Sequence, residues 1–168
     1  VYTLRGELGR VKGLTLTFVG DGNNVARSLA VVCGLTGIRF VLASPPGFEF
    51  DKAFLDHVAT ILPDAVIETT HDPVAAVKDA AAIYTDVWAS MGQESERAAR
   101  KKAFAAYQVN ESLMKHCPEA VFMHCLPARR GEEVTDGVID GPKSVVLPQA
   151  AARMHVQKGL LAWLLGHA

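Results

Sequence analysis

Between Met123 and Glu132 the chain reads His124-Cys125-Leu126-Pro127-Ala128-Arg129-Arg130-Gly131, with an imidazole, a thiol and a proline where an apolar run turns polar. A cysteine thiolate with a histidine base makes a nucleophile, but neighbours on an extended strand point to opposite faces, so His124 is not automatically the base for Cys125. A metal site could be drawn from His116-Cys117 together with His124-Cys125. These pairs should sit at opposite ends of a strand of ~20 Å, which zinc bonds of ~2 Å cannot span, so no metal is expected. Gly20-Asp21-Gly22-Asn23-Asn24-Val25 loosely matches the glycine turn that brings a pyrophosphate to a helix N-terminus. A valine replaces its third glycine, and Leu42-Ala43-Ser44 lacks the acid that holds ribose hydroxyls, so no cofactor is expected. The plainer reading is a tight turn with Asp21 or Asn23 capping the helix. Asn24, just inside that helix, can both donate and accept toward a polar ligand. Cys33 and Cys117 read as small buried hydrophobes.

The elements that must position these residues alternate. Leu14 to Val19 reads as a strand, the Gly20–Gly22 turn follows, and Val25, Leu29, Val32 and Cys33 recur at helical spacing up to a left-handed cap at Gly37. Strands follow at Ile38–Ala43, Val66–Thr70, Ile83–Trp88 and Ala120–Leu126, with a short sixth at Ser144–Leu147. Helices are expected over Lys52–Ile61, Pro73–Ala80, Glu94–Tyr107, Glu111–His116 and Ala151–Leu165. Strands apolar on both faces, alternating with helices, predict an α/β fold: a doubly wound, Rossmann-like parallel sheet of about five strands in a three-layer sandwich. Ligands bind such sheets at the carboxyl ends of the strands. Four polar clusters fall there: Gly20 to Asn24, Asp86 to Gly92, His124 to Pro127, and Gln149 to Arg153.

At 168 residues with 49% apolar and 21% charged content, the chain supports one domain, residues 1–168, around one core. Its formal net charge of −1 favours neither nucleic acid nor an anionic membrane as partner, and the basic run Arg97, Arg100, Lys101, Lys102 reads as a solvated helix face. No apolar run approaches the ~20 residues of a membrane span, and no secretory signal is present. Three cysteines without close pairing suit a reducing, cytoplasmic setting. The chain begins with Val1 rather than Met, which makes a segment upstream expected.

The segments FVGDGNNVARSL, YTDVWASMGQE, YQVN and FMHCLPARRGEEVTDGV, in this order and followed by QAAARMHVQK, resemble the ornithine-binding half of the ornithine carbamoyltransferases, within the aspartate/ornithine carbamoyltransferase family. The resemblance runs from Leu8-Gly9 to the last helix, and the Ser-Met-Gly loop with His-Cys-Leu-Pro separates these enzymes from their aspartate-using relatives. It implies that Asn24, Asp86, Ser90 and Met91 hold the amino-acid end of L-ornithine. By the same resemblance, Cys125 lies beside the reacting δ-amine, the Leu126 carbonyl orients the carbamoyl group, and Arg153 contacts carbamoyl phosphate. His124 and Asn23 are further candidates. Ser90-Met91-Gly92-Gln93 is expected to act as a lid over the amino acid. The resemblance further implies a homotrimer, or a multiple of one, and a second domain for carbamoyl phosphate that has no counterpart in these residues.

One departure from the family pattern stands out: Ala151-Ala152 occupy the places of a glutamate and an asparagine beside Arg153, which bears on how that arginine is oriented. Two readings follow. The favoured one is the ornithine half of a carbamoyltransferase making L-citrulline and phosphate, with the 168 residues alone inactive; the other is a stand-alone binding module for an amino acid or polyamine, without catalysis.

Overall fold

The computed structural model describes residues 1–89, 92 and 94–167, with the side chain of Glu94 set aside. Five strands form one all-parallel sheet in the order β3-β2-β1-β4-β5. They are β1 (Thr15–Val19), β2 (Arg39–Ala43), β3 (Ile67–Thr70), β4 (Ala82–Thr85) and β5 (Val121–His124). Both faces of β4 and β5 are buried along their whole length, which is why these segments are continuously apolar instead of alternating.

The helices are α1 (Tyr2–Leu8), α2 (Asn24–Thr36), α3 (Lys52–Ile61), α4 (Pro73–Val77), α5 (Arg97–Ala103), α6 (Glu111–Met114), α7 (Asp136–Ile139) and α8 (Val146–Leu164). One face of the sheet packs Phe18, Phe40 and Met123 against Leu4 of α1, Ala26, Ala30 and Cys33 of α2, and Phe54 and Leu55 of α3. The other packs Val19, Val41, Ile83 and Phe122 against Val77 of α4, Leu113 of α6 and Val138 and Ile139 of α7. Helices on both faces make the doubly wound, three-layer sandwich.

Local chemistry sets the helix ends. Asn23 caps α2 by accepting from the amides of Val25 and Ala26, and Gly37 ends it at φ 68, the left-handed cap expected there. Asp51 and Asp72 cap α3 and α4, with Pro73 in the first turn, where its missing N–H costs nothing.

The expected sixth strand is absent among the described residues. Ser144 makes only an isolated bridge to Phe122, and Val146 already begins α8. The apolar run Val145–Leu147 is thus the start of a helix, with Val145 and Val146 buried, Leu147 exposed and Pro148 accommodated in its first turn. Two short helices, α1 and α7, lie where the sequence pattern showed none; α1 buries Leu4 and ends at Gly9, φ 73. β4 ends at Thr85 instead of continuing to Trp88, which frees Asp86 and Trp88 for the loop above the sheet.

Candidate functional site

Order reversal beside β1 opens a crevice where the carboxyl ends of β1, β4 and β5 meet. Register then decides which residues share it. Phe18 pairs with Tyr84 and Thr85 with His124, so the residues that follow these strands emerge side by side: Gly20 with Asp86, and Asp86 with Cys125. Thr85 ties the two strand ends further, its hydroxyl donating to the Val19 carbonyl at 2.6 Å.

Asp86 is the hub. Its Oδ1 accepts from its neighbour Val87 N–H at 2.8 Å and from the Cys125 thiol at 3.0 Å, while Oδ2 accepts from Asn23 Nδ2 at 3.3 Å. The carboxylate is only 9% exposed, so its remaining lone pairs face a site with little competing water. Burial, reinforced by the hydrogen bond to Asp86, pushes the Cys125 thiol up to about 12. In this state Cys125 is a protonated donor rather than a thiolate nucleophile. Burial also raises the Tyr84 phenol, which keeps it protonated as it accepts from Gln149 Nε2 at 3.1 Å.

A cleft of ≈ 440 Å³ opens beside this hub, lined by Asn24, Val25, Asp86, Val87, Ala89 and the turn Leu126–Arg129. Asn24 stands exposed in the first turn of α2, and no described residue engages its side-chain amide. Its place depends on the preceding turn: Gly22 N–H donates to the Phe48 carbonyl at 2.8 Å, and a Cβ on Gly22 would lie 2.9 Å from the Glu49 carbonyl carbon. Only a glycine lets the chain pass there without displacing backbone. Arg100 secures the far wall, bonding Asp21 at 2.6 Å and the Trp88 carbonyl at 3.2 Å and stacking over Phe48.

The structure therefore brings together Asn23, Asn24, Asp86, Cys125 and Leu126. His124 is placed differently: it is 1% exposed and points away from Cys125 toward Glu133. Arg153 is exposed on α8 and lines a separate cleft of ≈ 410 Å³ with Val1, Tyr2, Thr3 and Gln149. Gln149, one turn before Arg153, does reach the site's supports, accepting from His124 N at 3.2 Å as it donates to Tyr84. Ser90 and Met91 lie outside the described residues, as does Gln93, so the expected lid is not described. Among the described residues no cluster of three or more His, Cys, Asp or Glu could hold a metal ion, and no helix is long and apolar enough to cross a membrane.

Sequence reasoning missed Glu133 and Tyr84, and it named Gln149 only as part of a polar cluster at the ligand edge. Glu133 sat in a polar Gly-Glu-Glu stretch that carries no burial signal, yet it is fully buried. Arg129 lines the cleft with its Nη1 hidden from water and no hydrogen bond to a described residue.

Comparison with known proteins bears on the family. Residues 12–164 match the family described as aspartate/ornithine carbamoyltransferase, Asp/Orn binding domain. The chain is similar to the ornithine carbamoyltransferase of Thermococcus kodakarensis, 50% identical over 167 residues, covering 98% of this chain and 53% of that protein. The solved structure of the Pyrococcus furiosus ornithine carbamoyltransferase superposes with a TM-score of 0.88 at 51% identity, over 95% of this chain and 52% of that one. That of the ornithine transcarbamoylase from Giardia lamblia gives 0.86 at 30% identity, over 99% and 56%. The chain thus spans about half the length of the relatives it matches. A five-stranded parallel sheet, a family match over residues 12–164 and half identity to the Thermococcus kodakarensis and Pyrococcus furiosus proteins place the chain in the aspartate/ornithine carbamoyltransferase family, as its Asp/Orn-binding domain.

Proposed function

We propose that the chain is the ornithine-binding half of a carbamoyltransferase that transfers the carbamoyl group of carbamoyl phosphate to the δ-amine of L-ornithine, giving L-citrulline and phosphate. The observation that carries this reading is the Asp86 carboxylate, held by the Cys125 thiol and the Asn23 amide at the mouth of a cleft lined by Asn24, whose amide no described residue engages. An α-amino acid needs an acceptor for its ammonium and donors for its carboxylate; Asp86 supplies the first and Asn24 the second, and the family resemblance assigns Ser90 and Met91 to the same amino-acid end.

In the reaction a C–N bond forms between the δ-amine and the carbamoyl carbon, the bond from that carbon to the phosphate oxygen breaks, and the amine loses a proton. An unperturbed alkyl amine has a pKa of ~10.4, so the site must favour the neutral amine. Cys125 fits this need. Its sulfur can accept a hydrogen bond from the amine while its own S–H stays hydrogen-bonded to Asp86, and the proton the amine loses as the C–N bond forms leaves on the departing phosphate oxygen, so no full charge has to form on sulfur. The Leu126 carbonyl, at the same strand end, can accept from the carbamoyl NH₂ group, and Arg153 would meet the phosphate from the second domain's side.

The reading extends to the assembled protein. It places the enzyme in the cytoplasm as a homotrimer or a multiple of one, with carbamoyl phosphate held mostly by a second domain. Transition-state stabilisation of a phosphate leaving group requires several donors in fixed geometry, and the described cleft offers one guanidinium, Arg129. The isolated 168 residues are therefore inactive. The test is a citrulline assay on the purified chain and on the same chain joined to the remaining half of its Thermococcus kodakarensis relative. Activity only in the joined protein is expected; citrulline from the isolated chain at comparable rates would refute the half-site reading, and none from either would refute the reaction.

A further inference from the structure

The turn that forms the cleft wall after β5 is held from behind by two buried residues that do not reach the cleft. His124 is 1% exposed and Glu133 is 0% exposed. The Leu126 N–H donates to His124 Nδ1 at 2.8 Å. A ring nitrogen that accepts carries no proton, so the proton sits on Nε2, which donates to Glu133 Oε1 at 3.2 Å. That same oxygen accepts the Arg129 N–H at 2.5 Å, and Oε2 has no partner among the described residues. A single carboxylate oxygen therefore ties residue 124 to residue 129. Between these anchors lie Cys125, which bonds Asp86, and Leu126, Pro127 and Ala128, which line the cleft.

We propose that Glu133 and His124 are positioning residues, a buried carboxylate–imidazole pair that clamps both ends of the Cys125–Ala128 turn and so sets where the thiol and the Leu126 carbonyl stand. Leu126 shows why a clamp is needed. Its φ of 56 lies in the left-handed region that side chains other than glycine rarely adopt, and the bond from its N–H to His124 holds it there. With Nδ1 occupied by Leu126 and Nε2 by Glu133, His124 has no ring nitrogen left for Cys125. Its role is geometric: the Leu126 N–H at Nδ1 and the Glu133 carboxylate at Nε2 together fix its tautomer.

The kinetic part rests on the carbamoyltransferase reading, and two measurements separate the proposals. Imidazole nitrogen NMR of the ¹⁵N-labelled wild-type chain reads the clamp without any substitution: protonation on Nε2 with a coupling across the hydrogen bond between Leu126 N and His124 Nδ1 is expected, and a His124 protonated on Nδ1 overturns the clamp. The second uses the chain joined to the remaining half of its Thermococcus kodakarensis relative. His124→Asn keeps an acceptor near the place of Nδ1 and loses only the tie to Glu133, so it should lose less kcat than His124→Gln, which reaches toward Glu133 but offers Leu126 nothing and should lose about tenfold or more in kcat with little change in the KM for ornithine. A Gln variant no worse than the Asn variant, or a loss confined to KM, overturns the proposal. If the joined wild-type protein makes no citrulline, the reaction assignment fails while the NMR result still decides the clamp.

Discussion

Cys125 and Asp86 share a direct contact, through which the carboxylate acts on the thiol. Burial and the neighbouring carboxylate both raise the thiol, to about 12, so alkylation by iodoacetamide should be slow at pH 8 and should keep accelerating well beyond it. Replacing Asp86 with Asn removes the negative charge at 3.0 Å and lowers the thiol pKa, so Asp86→Asn should alkylate faster at pH 8 than wild type does. A slower or unchanged rate, measured by mass spectrometry at Cys125, would contradict the direct contact. In the joined protein, Cys125→Ser keeps a small donor to Asp86 but loses the polarizable sulfur; turnover should fall more than ornithine affinity, and unchanged turnover would assign Cys125 to packing.

Among the elements, the β1–α2 turn carries the site. Asn23 accepts from two amides at the start of α2 and donates to Asp86, so Asn23→Ala loses a helix cap and a tether together. The cap alone is worth about 1 kcal/mol, which a shift in the urea midpoint would read, and ornithine binding should weaken in the same variant. Gly22→Ala should cost more, about 1–3 kcal/mol, because its Cβ would meet backbone and not a movable side chain. A Gly22→Ala variant as stable as wild type would show that the Phe48–Glu49 backbone yields easily.

The whole molecule has an alkaline limit built into its core. Cys33 and Cys125 are pushed up to about 12 and Cys117 to about 11, each mainly by burial, whereas thiols of the unfolded chain titrate near ~8.5. Above that pH the unfolded state binds fewer protons than the folded one, so this stabilisation is complete below ~8.5 and is lost as pH climbs toward 12. Cys33→Ala should unfold more easily at pH 7 yet show a shallower decline between pH 9 and 11; an unchanged slope in the urea midpoint would rule Cys33 out as a contributor. The far end of α8 sets a second behaviour. Leu160, Leu161, Trp163, Leu164 and Leu165 are all more than half exposed, an apolar surface that in water favours association. Light scattering on the 168-residue chain should report mass above that of a monomer, and Leu161→Lys with Trp163→Glu should restore it.

The alternation of apolar strands and helices was legible from sequence because a sheet buried on both faces demands continuous apolar segments, and the caps Asn23 and Gly37 follow from local backbone chemistry. Cys125, Asp86 and Asn24 were legible as well, since polar residues at strand ends mark the ligand edge of a parallel sheet. Short helices such as α1 and α7 were not, because a turn or two carries too little periodicity and depends on tertiary packing. Nor was the division of labour in His-Cys-Leu-Pro. The sequence by itself determined that an imidazole and a thiol stand together at a strand end; only the tertiary structure, by burying Glu133 behind the sheet and bringing Asp86 alongside through the β4–β5 register, decided that the imidazole braces the turn while the thiol faces the site. Partners 9 and 39 residues away are chosen by packing, and no local pattern encodes them.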